Sequence, residues 1–350
     1  MSDARNVTTD PNLDRYVRQM RFAPLGEEGQ RRLGAARVLV CGCGALGSMI
    51  AALLARAGVG KLRIVDRDFL ELNNLQRQML YDEADVAAAL PKAIAAGNQL
   101  HKINSSIEIE PVVADVTAAN VLGLCDGIDL ILDGTDNFET RFLVNEAALK
   151  LGLPWVYGGA IGASGQSLTI LPGETPCLRC VVPEPPPPGT MPTCDTAGVL
   201  GPVIGVIASI QACEAIKIAS GNRAAISRSL TVIDLWENRI RQLGLDRLRE
   251  TGCPTCREAD YPWLSGRSGS QTAILCGRNA VQISPAAGAI SLDSLADKLS
   301  GVGLVTRNPY LLRLAVGDYL LTIFPDGRAI IGGTDDVSVA RTVYAKYVGV

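Results

Sequence analysis

Histidine is almost absent from this chain: its 350 residues include one, His101. It lies in the stretch NQLHKINSS, where it reads as a helix-end residue, so chemistry built on a histidine acid or base is not expected. Net charge is also missing. Lys and Arg number 33 against 36 Asp and Glu, a formal −3, which leaves no global basic footprint for nucleic acid. Long apolar runs are lacking as well. The greasiest, VLGPVIGVIASI, contains Pro202 and is too short to span a bilayer, and the opening MSDARNVTTDPNLDRYVRQM has neither an apolar signal core nor a twin arginine. The expectation is a cytoplasmic protein with no membrane and no nucleic acid among its partners. No internal repeat is visible, and beyond the proline run PEPPPPG there is no low-complexity segment.

What is abundant is apolar residues, at 47%, and glycine, at 36 residues, in a length that supports a large core and more than one domain. Short β-branched runs alternate with helical stretches through the first half. Strands are expected at Arg37–Cys41, Leu62–Val65, Ile107–Val113, Asp129–Leu132 and Trp155–Tyr157, with helices near 46–57, 84–100, 117–124 and 138–151. That order predicts a doubly wound, Rossmann-like α/β fold with a mostly parallel sheet. Beyond Gly158 follow a hairpin-like GQSLTILPG, a loop with CLRC and the prolines, an apolar helix near 198–219 and a strand at 229–233. READYPWLSGRSGSQ reads as a linker. The expected domains are residues 1–265 and a small α+β domain at 270–350, built as strand, helix, three strands and a final helix.

The turn after the first strand carries GCGALG. Gly42, Gly44 and Gly47 suit a tight strand-to-helix turn that leaves amides free for an anion, but any nucleotide poses that backbone problem, a nicotinamide dinucleotide included. Other residues must name the nucleotide. Asp66 closes the second strand, where a carboxylate accepts from ribose hydroxyls. Arg77 and Lys92 are cations suited to a triphosphate and redundant for a dinucleotide. Asp136, just past DLILD, stands where ligands bind such a sheet and is placed to hold Mg²⁺ beside phosphates; Asp129 and Asp133 are candidates for a turn or a buried partner.

Ten cysteines in a reducing compartment are not expected to be disulfides. Cys177 and Cys180 in CLRC, with Cys253 and Cys256 in CPTC, form two C-x-x-C knuckles, enough for a closed tetrahedral zinc site that is structural and not catalytic. With 72 residues between the knuckles, the metal would pin a returning segment onto the crossover loop. Cys194, before an apolar helix beginning near Ala197, is a candidate nucleophile whose thiolate the helix dipole would favour. Cys213, Cys41, Cys43, Cys125 and Cys276 read as core or packing residues.

Taken together and in this order, RYVRQ, GCGALG, VDRD with NNLQRQ, PKA, GTDN with a following arginine, CLRC, PTCDTAGVLGPVIGVIASIQA and CPTC resemble the ThiF/MoeB/HesA family of ubiquitin-activating-enzyme-like adenylyltransferases, over roughly residues 12–260. The resemblance implies adenylation, with MgATP, of the C-terminal Gly-Gly carboxylate of a ubiquitin-like sulfur carrier protein by a homodimer, preparing the carrier for a sulfur donor protein in molybdopterin, thiazole, tRNA-thiolation or another sulfur route. The alternative is a carrier-binding scaffold without catalysis. Carried onto matching positions, it implies ATP contacts from Gly42, Gly44, Ala45, Gly47, Asp66, Asn74, Arg77, Lys92, Asp136 and Asn137, and Mg²⁺ at Asp136. It further implies that Arg18 reaches the neighbouring subunit's ATP, that Arg141 supports the site, and that Cys194 bonds the activated carrier covalently. Ala45 departs from a further glycine common in the family, two extra residues precede LPKA, and the C-terminal domain lacks a rhodanese-type C-x-x-x-x-[GS]-x loop.

Overall fold

Every position of Arg37–Cys41 (β1) after Arg37 is buried, which demands cover on both faces and places this strand centrally in a parallel sheet. In the computed structural model, which describes residues 11–186, 197–249, 252–268, 272–275, 279–283 and 290–349, it lies between Lys61–Asp66 (β2) and Leu130–Asp133 (β4). Val38 is in register with Leu62 on one side and Leu130 on the other. Glu108–Val113 (β3) and Trp155–Ile161 (β5) extend the parallel part, and Ser164–Ile170 (β6), Ser229–Asp234 (β7) and Arg239–Gly244 (β8) follow antiparallel. The order is β3-β2-β1-β4-β5-β6-β7-β8. Chain order reverses between β1 and β4, the kind of point where ligands bind outside the carboxyl ends of such strands.

Helices cover both faces. Gly26–Ala35 (α1), Ala45–Ala57 (α2) and Lys92–Ile103 (α3) share one core with the long helix Gly201–Ala219 (α5). Phe138–Leu151 (α4) contributes Phe142, Val144 and Ala148 to the other. α5 corrects the reading of its segment: at 19 residues it is long and apolar enough, by length and composition, to cross a membrane. Here it lies on α2 and across β5 and β6, burying Val203, Ile204, Ile207 and Ala208, and Gln211 donates to the backbone oxygens of Asp133 (2.8 Å) and Val156 (3.2 Å). Pro202 falls in its first turn, where a missing N–H costs no intrahelical bond.

Several boundaries differ from expectation for local reasons. The helix near 84–100 is two, Glu83–Ala87 and α3, because Pro91 biases Leu90 away from helical geometry and then serves as the N-cap residue of α3. Only Val121–Leu124 of 117–124 is helical; Thr117–Asn120 is a turn closed by the Asn120 side chain. β8 has no apolar alternation to signal it, since all six of its residues are exposed on the sheet edge.

The supposed linker is partly docked. Trp263 packs its ring on Phe142, 5.7 Å between centroids, and the Leu264 amide donates to Glu146 Oε2 at 2.9 Å. Glu146 is 1% exposed, and burial pushes its carboxyl up to about 7. A carboxyl raised in the folded state contributes stability that is fully present below its unfolded value and is lost as pH rises through the folded one. Hydrogen exchange at residues 261–266, corrected for intrinsic rate, is therefore expected to accelerate between about pH 5 and pH 8. Glu146→Gln should flatten that dependence; the same slope in both proteins contradicts the assignment.

The described residues divide into two compact units, one of residues 11–186 and 199–267, the other of residues 197–198 and those from 268 on. The second has more strands than expected. Thr272–Leu275 (β9), Ala280–Ile283 (β10), Leu304–Arg307 (β11), Leu312–Val316 (β12), Tyr319–Ile323 (β13) and Ala329–Gly332 (β14) form an antiparallel sheet in the order β11-β12-β13-β14-β10-β9. Leu292–Leu299 (α6) and Val337–Tyr347 (α7) complete its own core.

Candidate nucleotide site at the carboxyl edge of the parallel sheet

Three glycines let the chain close on itself at the tip of β1. Gly42 has φ +81°, and a Cβ there would stand 2.7 Å from the Gly134 carbonyl oxygen. Cβ atoms on Gly47 and Gly134 would both be driven into the Gly42 carbonyl oxygen. The loops after β1 and β4 and the first turn of α2 are thus locked together, and no larger residue fits. Gly44 plays another part: it is the N-cap residue of α2, no side chain caps the helix, and a Cβ there would meet Gln78 Nε2 at 3.9 Å, an ordinary contact. An uncapped helix N-terminus behind a glycine favours an anion. Ala45 opens the helix itself, so its methyl group falls within α2.

Carboxylates from neighbouring loops frame this turn. Asp66, at the tip of β2, accepts from the Cys43 amide and the Asp68 amide, both at 2.7 Å. Burial raises its carboxyl, opposed by Lys92. Each oxygen retains a second lone pair for a hydroxyl donor. Lys92 is buried at the start of α3 and pairs with Asp68 at 3.0 Å. Tyr81 ties the pieces together, donating to the Cys43 carbonyl at 2.7 Å and lying 3.3 Å from that of Lys92. Asn74 is buried and committed to its own turn: its Oδ1 accepts from the Glu71 amide and its Nδ2 donates to Asn73. It therefore shapes the loop that carries Arg77, whose guanidinium folds back on the Asn73 carbonyl at 2.9 Å.

The loop after β4 separates two aspartates by role. Asp133 is buried, accepts from the Thr135 amide and hydroxyl, and pairs with Arg141 Nε at 3.2 Å. Arg141, itself buried, also donates to the Thr135 and Gly158 carbonyls and lies over the Tyr157 ring. This brace holds the turn from which Asp136 projects. Asp136 is exposed, and its one hydrogen-bond approach among the described residues is from Asn137 Nδ2 at 3.5 Å. Asn137 is the N-cap residue of α4, its Oδ1 accepting from the Thr140 amide at 2.8 Å. Asp129 is elsewhere, in an ion pair with Arg37. His101 is exposed in the last turn of α3.

Arg18 is not brought to this edge. Its segment docks at the other end of α2, where Tyr16 fills the space beside Gly58 and Gln19 donates to the Ala57 carbonyl. The 13 residues of α2, at about 1.5 Å each, put roughly 20 Å between that end and the phosphate turn. Residues that the sequence reading passed over are Asp68, Tyr81 and Gln78. Asp68 and Gln78 were visible only as neighbours of Asp66 and Arg77, and Tyr81 carried no signal.

Cys177, Cys180, Cys253 and Cys256 converge, with all four sulfurs within 4.8 Å of one another. Sulfur separations are 3.8 Å for Cys177–Cys180, 3.8 Å for Cys177–Cys253 and 3.6 Å for Cys180–Cys256. A tetrahedron with bonds of about 2.3 Å to a metal has edges of roughly 3.8 Å, so the cluster fits a zinc ion. Arg179 braces it by donating to Thr255 at 3.0 Å. Of the remaining cysteines, Cys41, Cys43 and Cys125 are buried; burial pushes the Cys43 thiol up to about 12 and that of Cys125 to about 11, as suits packing residues. Cys213 corrects its reading as core, because it occupies the outward face of α5 and is exposed. Cys194 and Cys276 lie outside the described residues.

Comparison with known proteins gives the family. The model of the ThiF family matches residues 16–255. A sulfur carrier protein ThiS adenylyltransferase of Bacillus subtilis is 43% identical over 337 residues, 96% of this chain and 99% of that one. A sulfur carrier protein adenylyltransferase of Thermus thermophilus is 40% identical, over 71% of this chain and 92% of its own. The adenylyltransferase and sulfurtransferase MOCS3 of Sus scrofa is 42% identical over 73% of this chain but only 57% of its own length. Among solved structures, MccB of E. coli shares the fold at a TM-score of 0.58 and 22% identity, covering 71% of this chain and 72% of its own. With the glycine lock, the paired acids and cations of the carboxyl edge and three of the four clustered cysteines falling within the matched span, and Cys256 one residue beyond it, the chain belongs to the ThiF family.

Proposed function

We propose that this chain is an adenylyltransferase that activates the C-terminal Gly-Gly carboxylate of a ubiquitin-like sulfur carrier with MgATP. The observation that carries the reading is the join of an uncapped helix N-terminus at Gly44 to Asp66, Lys92 and Asp136 on one sheet edge. ATP would lie with its ribose at Asp66 and its phosphates at Gly42, Gly44, Ala45 and Gly47, with Arg77 and Lys92 supplying positive charge and Asn74 and Asn137 holding the loops. A carrier carboxylate oxygen bonds to the α-phosphorus as the bond to the bridging oxygen breaks, and pyrophosphate leaves. No proton is moved, so the demand on the protein is alignment and neutralisation of anions. Mg²⁺, held at Asp136, would neutralise phosphate oxygens when bound. Asp133 and Arg141 keep Asp136 in place.

The adenylation domain would comprise residues 1–265, with zinc in the Cys177, Cys180, Cys253 and Cys256 cluster as a structural pin. Arg18 stands too far from its own phosphate turn to serve it, which supports a homodimer in which it serves the partner's. Cys194 is the candidate for a covalent carrier adduct, with a sulfur donor protein acting next. The B. subtilis relative carries the carrier ThiS in its name, so a ThiS-like carrier is the first to test. Carrier-dependent exchange of labelled pyrophosphate into ATP is the expected activity. Arg18→Ala and Asp136→Ala should each lose it alone and recover part of it when mixed, since a mixed dimer holds one intact site. Exchange absent with every Gly-Gly carrier overturns the function, and absence of recovery overturns the shared site.

A further inference from the structure

Gln78 is 3% exposed, yet its Oε1 meets no hydrogen-bond donor among the described residues. Buried polar atoms without a partner are few in folded proteins, and each asks for a physical reason. The backbone of this residue is anchored: its amide donates to the Asn74 carbonyl at 3.0 Å and its carbonyl accepts from the Tyr81 amide at 3.3 Å. The backbone is fixed by these bonds, and the side chain is enclosed by burial. Among the described residues, and apart from Gly44 and its chain neighbours, Gln78 Nε2 is the one heavy atom within 4 Å of the position a Gly44 Cβ would take, at 3.9 Å. Gly44 is the N-cap residue of a 13-residue helix that no side chain caps. An uncapped helix N-terminus and an underused buried amide thus border the same space.

We propose that Gln78 contacts the nucleotide, its Nε2 donating to a phosphate oxygen seated over Gly44. This rests on the reading of the edge as an ATP site. Arg77 and Lys92 supply charge but no acceptor, and phosphate oxygens supply acceptors but no donor. A neutral amide has both. A polyphosphate supplies an oxygen for Nε2. A carboxylate of the same length would face the phosphates with like charge, and a thioether would fill the space without either contact.

Gln78→Met is the discriminating variant because it keeps length and removes the buried polar atoms. An internal prop and a ligand contact then predict opposite changes in the ligand-free protein. The full-length protein is tested by thermal melting without ligand and by calorimetric titration with MgATP, magnesium tripolyphosphate and adenosine. The expected result is a ligand-free Tm equal to or above that of the wild type, about ten-fold weaker binding of MgATP and of tripolyphosphate, as for one hydrogen bond to a charged group, and adenosine binding unchanged. MgATP affinity within two-fold of wild type in folded Gln78→Met overturns the proposal, as does an equal loss for adenosine. Should the Met variant fail to fold, Gln78→Glu carries the test, with a loss at least as large expected for both polyphosphate ligands and wild-type affinity overturning it. A wild-type protein that binds no polyphosphate would instead remove the ATP reading itself, so the two failures are distinguishable.

Discussion

Asp136→Ala is expected to lower carrier-dependent pyrophosphate exchange by about 10²-fold or more while the fold stays intact. The size follows from the proposed role of Asp136 at the reacting phosphates, since one preorganised electrostatic contact there is worth about that much. Retention of the fold follows from where Asp136 sits. Its carboxylate is exposed and its one hydrogen-bond approach among the described residues is from Asn137 at 3.5 Å, whereas the turn itself is kept by Asp133, Arg141 and Thr135. Asp133→Ala provides the contrast. Removing it strands a buried guanidinium, so a fall in Tm should accompany any loss of exchange. Exchange and melting measured on both variants check this. Near-normal exchange in Asp136→Ala, or a matched loss of Tm, would show that Asp136 does not act on the phosphates.

The second large effect concerns the cysteine cluster. Zinc is expected at one ion per chain, and Cys253→Ser should lose both the metal and the folded state of this unit. Structural zinc contributes on the order of 10 kcal/mol to the fold that binds it, comparable to the whole stability of a domain. The cluster is also where distant segments meet: Cys177 and Cys253 are buried beside Phe142 and Trp155 in one core, and the Leu178 amide donates to Asn145 of α4 at 2.9 Å. Without metal, the Arg179–Thr255 bond and core packing are left to hold the two knuckles together. Elemental analysis of the purified protein, with circular dichroism before and after chelation, decides the matter. Substoichiometric zinc in well-folded protein would overturn it.

Local pattern alone determined much of this molecule. The continuous apolar runs of β1 and β4 announced central parallel strands, since only burial on both faces tolerates such runs. GCGALG marked the strand-to-helix turn because its glycines answer a local steric need, and the two C-x-x-C knuckles announced a four-sulfur cluster because ligand spacing within each is short. Asp66, at the end of its strand, was legible in the same way.

The tertiary structure decided what depends on residues far apart in sequence. Gly134 as the third member of the glycine lock, Asp133 paired inward while Asp136 points out, and Gln78 facing Gly44 all arise where different loops meet. The same holds for Trp263 on Phe142, for α5 as a core helix rather than a span, and for β8, an edge strand whose exposed residues need no alternation. Arg18 is the clearest case. Its motif resembles an active-site element, yet its segment is bonded to the far end of α2, because Tyr16 and Gln19 find partners there. Strand and turn preferences act over a few neighbouring residues, whereas a site is assembled from loops that only the sheet order brings together.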